Sequence, residues 1–206
     1  MYFILRIIIM IILALILFLI LFKKQIYKKR IISLLMIITF LSLGGLLCTF
    51  PFENLFIDFS SPEDVVKYNS EFPVKDYIYN DDSCLAIGGN DGYESFKIIP
   101  KKDEKYKLPS FLEKERIADC LFEYGLLEIY KLKNTDDYYL CGGLSFVEEE
   151  VNIEVCDGSN PTVRSSEKND LGYKTVWIYG AVNYSDDFFV IVNGEKVSLA
   201  SSQVLM

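Results

Sequence analysis

Two long apolar runs open the chain and an alternating, turn-punctuated pattern follows them. Residues 7–22 contain no polar side chain, and residues 31–50 contain no charge. Between them Lys23-Lys24-Gln25-Ile26-Tyr27-Lys28-Lys29-Arg30 carries five cations in eight residues. About 20 apolar residues make a helix long enough to cross a hydrocarbon core of ~30 Å. The pattern therefore predicts a transmembrane hairpin over 1–50, with spans 1–22 and 31–50. Arg6 is close enough to the first end to snorkel to the interface. The basic loop 23–30 is then cytoplasmic by the positive-inside rule, which places residues 51–206 outside the cell membrane. Ser33, Thr39, Ser42, Gly44, Gly45 and Thr49 would let the two helices approach closely.

Beyond Pro51 the periods shorten. Ser61-Pro62-Glu63-Asp64 reads as a helix start: a hydroxyl N-cap, proline at the first helical position and acids at the positive end of the dipole. After Pro73 alternation takes over. Runs 84–87 and 93–99 flank Gly88-Gly89-Asn90-Asp91-Gly92 and predict a hairpin. Residues 111–124 place Ile117, Cys120, Leu121 and Tyr124 on one helical face, which predicts a short amphipathic helix. Strands are predicted again over 126–132, 138–141 and 151–155. A last hairpin is predicted from 175–182 and 188–192 across the turn 183–187, followed by 196–199. Three echoes, at Leu85-Ala86-Ile87, Leu127-Glu128-Ile129-Tyr130 and Val176-Trp177-Ile178-Tyr179, each run into a polar, acidic turn. They suggest three similar hairpins. The predicted fold class is thus a two-helix transmembrane hairpin plus a mainly β (β-rich α+β) soluble domain. That domain is read as an antiparallel meander or small barrel-like sheet with one or two short helices.

Charge sharpens the division. The chain of 206 residues has 21 cations and 29 acids, and six cations but no acid fall within 1–50. Residues 51–206 therefore carry 15 cations against 29 acids, a net charge of −14 that repels phosphate backbones. No nucleic-acid partner is expected. The chain has no histidine, which removes Ser-His-Asp and Cys-His catalysis and every histidine-bearing zinc site. Cys84, Cys120, Cys141 and Cys156 have no CxxC spacing, and four cysteines permit three pairings, so the spacing chooses none.

Candidate chemistry is sparse. The acidic pairs Asp81-Asp82, Asp136-Asp137 and Asp186-Asp187 and the run Glu148-Glu149-Glu150 lack calcium-loop spacing and read as solvated turns. Neither a catalytic, a cofactor-binding nor a metal-ligating residue is assigned. Tyr77, Tyr79, Tyr93, Tyr106, Tyr138, Tyr139, Tyr173, Tyr179 and Tyr184 offer amphipathic surface suited to protein or sugar recognition. The stretch Pro100-Lys101-Lys102-Asp103-Glu104-Lys105-Tyr106-Lys107 is the cationic patch of the acidic part and could meet anionic lipid or wall polymer.

Short motifs at Phe59-Ser60-Ser61-Pro62-Glu63-Asp64-Val65, Asp82-Ser83-Cys84-Leu85, Ile98-Ile99-Pro100-Lys101 through Tyr106-Lys107-Leu108-Pro109, and Thr135-Asp136-Asp137-Tyr138-Tyr139 resemble those of membrane-anchored proteins of Gram-positive (Firmicute-type) bacteria. The resemblance covers most of residues 55–200 and implies a β-rich extracytoplasmic domain, with no activity and no site residues. The function expected from the sequence is a membrane-anchored, non-catalytic extracytoplasmic binding or interaction module. Its partner would be another envelope protein or a wall polymer. One alternative is a membrane-anchored hydrolase using a carboxylate pair. Another is an accessory subunit whose hairpin docks on a larger membrane complex.

Overall fold

The computed structural model describes residues 2–23, 34–35, 38–40, 42, 44–45, 50–69, 73–90, 93–110, 112–147 and 150–201. Helix α1 spans Tyr2–Lys23. A 3-10 turn, Phe52–Leu55, leads to helix α2, Pro62–Asn69. Among the described residues thirteen strands follow: β1 Val74–Tyr79, β2 Ser83–Asn90, β3 Tyr93–Lys102, β4 Lys105–Tyr106, β5 Lys114–Phe122, β6 Gly125–Leu132 and β7 Tyr138–Phe146, then β8 Ile153–Val155, β9 Thr162–Ser165, β10 Lys174–Val182, β11 Phe189–Val192, β12 Glu195–Ser198 and β13 Ala200–Ser201.

The predicted membrane crossing is corrected here. Among the described residues no helix is long and apolar enough to cross a membrane. The uncharged part of α1 between Arg6 and Lys23 is residues 7–22, about 24 Å at 1.5 Å per residue, short of a ~30 Å core. Arg6 does not snorkel. Its Nε and Nη2 donate to Glu53 Oε1 and Oε2 at 2.8 and 3.0 Å, and both residues are buried. The two-span topology and the cell-membrane localisation with an extracytoplasmic C-terminal domain fall with the spans. The loop 24–30 and most of the second predicted span lie outside the described residues. Of the small residues expected to face the first helix, Gly44 does: a Cβ there would come within 3.4 Å of Met10 Cε.

The β-rich part stands, as three antiparallel sheets rather than one meander or barrel. Their strand orders are β1-β2-β3-β4, β13-β5-β6-β7-β10-β9 and β12-β11-β8. Side-chain alternation stacks them. On one face of the six-stranded sheet, Leu127, Ile129, Leu140, Phe146, Val176 and Ile178 meet Phe188, Val190, Val192 and Val197 of the three-stranded sheet and its approach. On its other face, Tyr139, Cys141 and Tyr179 meet Leu85, Ile87 and Ile98 of the four-stranded sheet. The four-stranded sheet then turns Ala86 and Ile99 towards Val65 of α2, with Phe59 and Leu108. The six-stranded sheet is covered on both faces, so β10 reads as a near-continuous apolar run.

The helix start is as predicted: the Asp64 N–H donates to Ser61 Oγ at 3.2 Å, and the Ser60 and Ser61 hydroxyls donate to Asp64 Oδ2. The β2–β3 hairpin also forms and is longer than predicted, in register from Ser83↔Pro100 to Asn90↔Tyr93. The helix predicted over 111–124 is instead β5, paired with β6. A register shift between Arg116 and Ala118 explains the misreading. The bulge turns Ile117 to the same core as Ala118, Cys120 and Phe122, which imitates helical spacing. The last predicted hairpin fails too. β10 pairs with β7 and β9, whereas β11 pairs with β12 and β8 in another sheet. Of the three echoed segments, β2–β3 and β6–β7 are hairpins and β10–β11 is a crossing between sheets.

Candidate functional site

The four- and six-stranded sheets are fastened at one end and open at the other. The fastening is polar and buried. Ser83, first residue of β2, donates from Oγ to Asp137 Oδ2 at 2.5 Å. Ser83 Oγ also lies 2.8 Å from the Tyr139 hydroxyl, and the Asp82 N–H donates to the same Asp137 oxygen at 3.0 Å. Ser83, Asp137 and Tyr139 are all buried. Asp136-Asp137, read from sequence as a solvated turn, therefore splits: Asp136 is exposed and Asp137 is a buried acceptor. Burial raises the Asp137 carboxyl above its ordinary value, and the hydrogen bonds from Ser83 and Asp82 pull the other way. No substrate reaches a serine buried this completely, so the trio is structural.

Four residues along β7 from Tyr139, about 13 Å at 3.3 Å per residue, the gap opens into a cleft of about 460 Å³. Its floor is the six-stranded sheet. One cross-strand row is Leu126, Gly143, Trp177 and Arg164; the next is Glu128, Cys141, Tyr179 and Thr162. Residues directly opposite share a face, so each row presents its side chains together. The start of β3 forms the opposite wall with Tyr93, Glu94, Ser95 and Phe96. Gly143 makes the floor shallow beside the indole. A Cβ there would meet only Trp177 Cδ1, at 4.0 Å. Gly142 has the opposite reason: a Cβ on it would strike Leu127 Cδ2 at 2.4 Å.

The cleft is aromatic with charges at its margins. Tyr93 is 71% exposed at the mouth, whereas Tyr179 is buried. Burial, then the nearby Glu94 charge, pushes the Tyr179 phenol up, and burial does the same to the Cys141 thiol. Both are neutral at pH 7. Lys114 Nζ lies 4.8 and 4.6 Å from the ring centroids of Phe96 and Tyr130. Glu128 accepts from Arg116 Nη1 at 2.9 Å. The Glu94 side chain is only 4% exposed and is held loosely: Lys75 Nζ donates to Oε1 from 3.3 Å, and Arg164 Nη1 lies 3.8 Å from that oxygen. Glu94 Oε2 and Arg164 Nε are both buried without a hydrogen-bond partner.

Sequence reasoning reached this site only in part. Of the tyrosines singled out, Tyr93 and Tyr179 line the cleft and Tyr139 belongs to the fastening. Tyr77 and Tyr106 pack on the α2 side, Tyr138 and Tyr184 against the core shared with the three-stranded sheet, and Tyr79 and Tyr173 are exposed. Gly143, Glu94 and Arg164 were missed. The available signal was Gly142-Gly143 inside a strand, where paired glycines mark close approach or a ligand. The cationic patch around 100–107 is the β3–β4 connection, in which Lys101 contacts Glu104 and Lys107 contacts Asp58 while Lys102 and Lys105 are exposed. Cys84 and Cys141 are buried, Cys120 is partly exposed and Cys156 is exposed, all as free thiols. Among the described residues no group of three His, Cys, Asp or Glu could hold a metal ion.

The cleft has aromatic faces, paired charges and a thiol kept protonated by burial. No family model, curated protein or solved structure matches the chain, so the site stands on its own geometry.

Proposed function

We propose that this protein is a non-catalytic binding module that holds a small ligand in the cleft between its four- and six-stranded sheets. The observation that carries the reading is that Leu126, Gly143 and Trp177, neighbours in one cross-strand row, line a cleft walled by Tyr93 and Phe96. A concave, mostly pre-formed site with a few convergent polar groups is the usual form of a ligand pocket, and about 460 Å³ lies within the common range of 300–1,000 Å³.

The carboxylate-pair hydrolase is the second reading, because Glu94 and Glu128 both line the cleft. It is the weaker one. Both carboxylates are already engaged by a cation, Glu94 by Lys75 and Glu128 by Arg116.

Trp177 is the sole tryptophan of the chain and so reports the cleft without ambiguity. The test is a thermal-shift and Trp177-fluorescence screen of a mixed metabolite library, run in parallel on wild type and Gly143→Leu. A Cβ at this position meets only Trp177 Cδ1, at 4.0 Å, so the leucine is expected to fold, to project into the cleft and to erase the wild-type hits. Hits that survive Gly143→Leu with Trp177 undisturbed would move the site elsewhere.

A further inference from the structure

Resting on the reading of the cleft as a binding site, we propose that its ligand is a neutral saccharide. Three observations converge on a ring with one apolar face and a rim of hydroxyls. First, Trp177 stands beside Gly143, where the absence of a side chain leaves a shallow slot along the indole. The C–H face of a pyranose fits such a slot, and Tyr93, 71% exposed at the mouth, supplies a second surface.

Second, the unpaired polar atoms are of both kinds. Glu94 Oε2 is an acceptor and Arg164 Nε–H a donor; both are buried, and the two side chains are neighbours, with Arg164 Nη1 3.8 Å from Glu94 Oε1. Buried polar groups are nearly always satisfied. The contacts that hold Glu94, at 3.3 and 3.8 Å, exceed the 2.7–2.9 Å of a well-made charge-assisted bond. Glu94 lines the cleft, so a ligand hydroxyl that reaches it also lies beside Arg164. A sugar hydroxyl donates and accepts at once, so a vicinal pair satisfies the two together.

Third, the charges around the cleft are already engaged. Glu94 faces Lys75 and Arg164, Arg164 also lies 3.5 Å from Asp76, Glu128 faces Arg116, and Lys114 lies against two aromatic rings. An organic cation in the aromatic cleft would compete with these four bases, and an anion would meet the three carboxylates. A neutral polyhydroxyl ligand meets neither penalty.

The experiment is a titration of the full chain with cellotetraose, maltotetraose and the β-1,4-linked tetramer of N-acetylglucosamine, read by Trp177 fluorescence and by calorimetry. Tetramethylammonium, benzoate and glucose 6-phosphate are the charged probes, and cyclohexanol is the apolar one. At least one neutral tetrasaccharide should shift Trp177 and bind saturably, and be recovered intact. Tyr93→Ala should weaken it about tenfold, the value of one aromatic contact. Glu94→Gln should weaken it tenfold to a hundredfold, the value of a hydrogen bond to a charged group. Gly143→Leu should abolish binding. Should Glu94→Gln fail to fold, Tyr93→Ala and Gly143→Leu carry the test. Response to a charged or apolar probe alone, lost in Gly143→Leu, would overturn the saccharide and leave the cleft as the site. Release of shorter sugars would overturn the non-catalytic reading while keeping the ligand class. Silence of Trp177 towards every probe would overturn both.

Discussion

Replacing Ser83 by alanine removes the hinge pin of the two sheets that bound the cleft. In the wild type the Ser83 hydroxyl donates to Asp137 at 2.5 Å and receives the Tyr139 hydroxyl at 2.8 Å. The substitution deletes a hydrogen bond to a carboxylate, worth about 1.5–3 kcal/mol, and strands the fully buried Tyr139 hydroxyl, which costs about 1–3 kcal/mol. Asp137 retains the Asp82 N–H. A loss of about 3–5 kcal/mol follows. At about 2–4 °C per kcal/mol for a chain of this size, Tm falls by roughly 6–20 °C. Tyr139→Phe alone leaves the Ser83–Asp137 bond in place and should cost only about 1 kcal/mol. In the Ser83→Ala background the same phenylalanine removes a stranded hydroxyl and should be neutral or stabilising. Urea unfolding of the four proteins, followed through Trp177, completes the double-mutant cycle. A coupling energy of about 1–2 kcal/mol is expected. Additive effects would refute the shared-hydroxyl geometry.

Other consequences are independent of that cycle. Asp137 is raised by burial, so the folded state binds its proton more tightly than the unfolded chain does; its contribution to stability falls as pH rises from 3.8 through the folded value, and Asp137→Asn should flatten that limb of an acid titration. Cys84 is pushed up from 9 to about 12, chiefly by burial and then by Glu63. The unfolded chain ionises this thiol first, so stability should fall by up to about 1.4 kcal/mol per pH unit across that window, and Cys84→Ala should remove the slope. Phe188→Ala empties the centre of the core shared by the six- and three-stranded sheets and should cost about 3–5 kcal/mol in urea unfolding. Gly125 has φ +146°, and a Cβ there would stand 2.2 Å from the Gly143 carbonyl oxygen, so Gly125→Ala should cost at least about 2 kcal/mol by the same measurement.

Local chemistry was legible where a short signal decides a short element. Ser61-Pro62-Glu63-Asp64 announced α2, and the glycine-rich stretch at 88–92 announced the β2–β3 hairpin, although Gly88, Gly89 and Asn90 belong to β2 itself. Longer relations were not legible. A single bulge at Ile117 gave β5 the spacing of a helix, because one extra residue shifts a period of two towards a period of three or four. The crossing from β10 to β11 looked like a hairpin, since both strands are apolar and the polar turn between them fits either path. The apolar length of 1–50 suggested membrane spans, yet Arg6 is committed to Glu53 and shortens the uninterrupted stretch of α1. The cleft itself is a property of register: Gly143, Trp177 and Arg164 lie far apart in sequence and become neighbours only when β7, β10 and β9 align. Tyrosine abundance pointed to recognition without locating it.

The most direct measurement uses the one indole N–H of the chain. In a ¹⁵N-correlated spectrum Trp177 gives a single side-chain peak, free of assignment ambiguity. Titration with the tetrasaccharide panel should move that peak saturably in the wild type and leave it fixed in Gly143→Leu, whose backbone spectrum remains that of a folded chain. A fixed indole peak in the wild type, with backbone shifts elsewhere, would contradict the claim that this protein binds its ligand between the four- and six-stranded sheets.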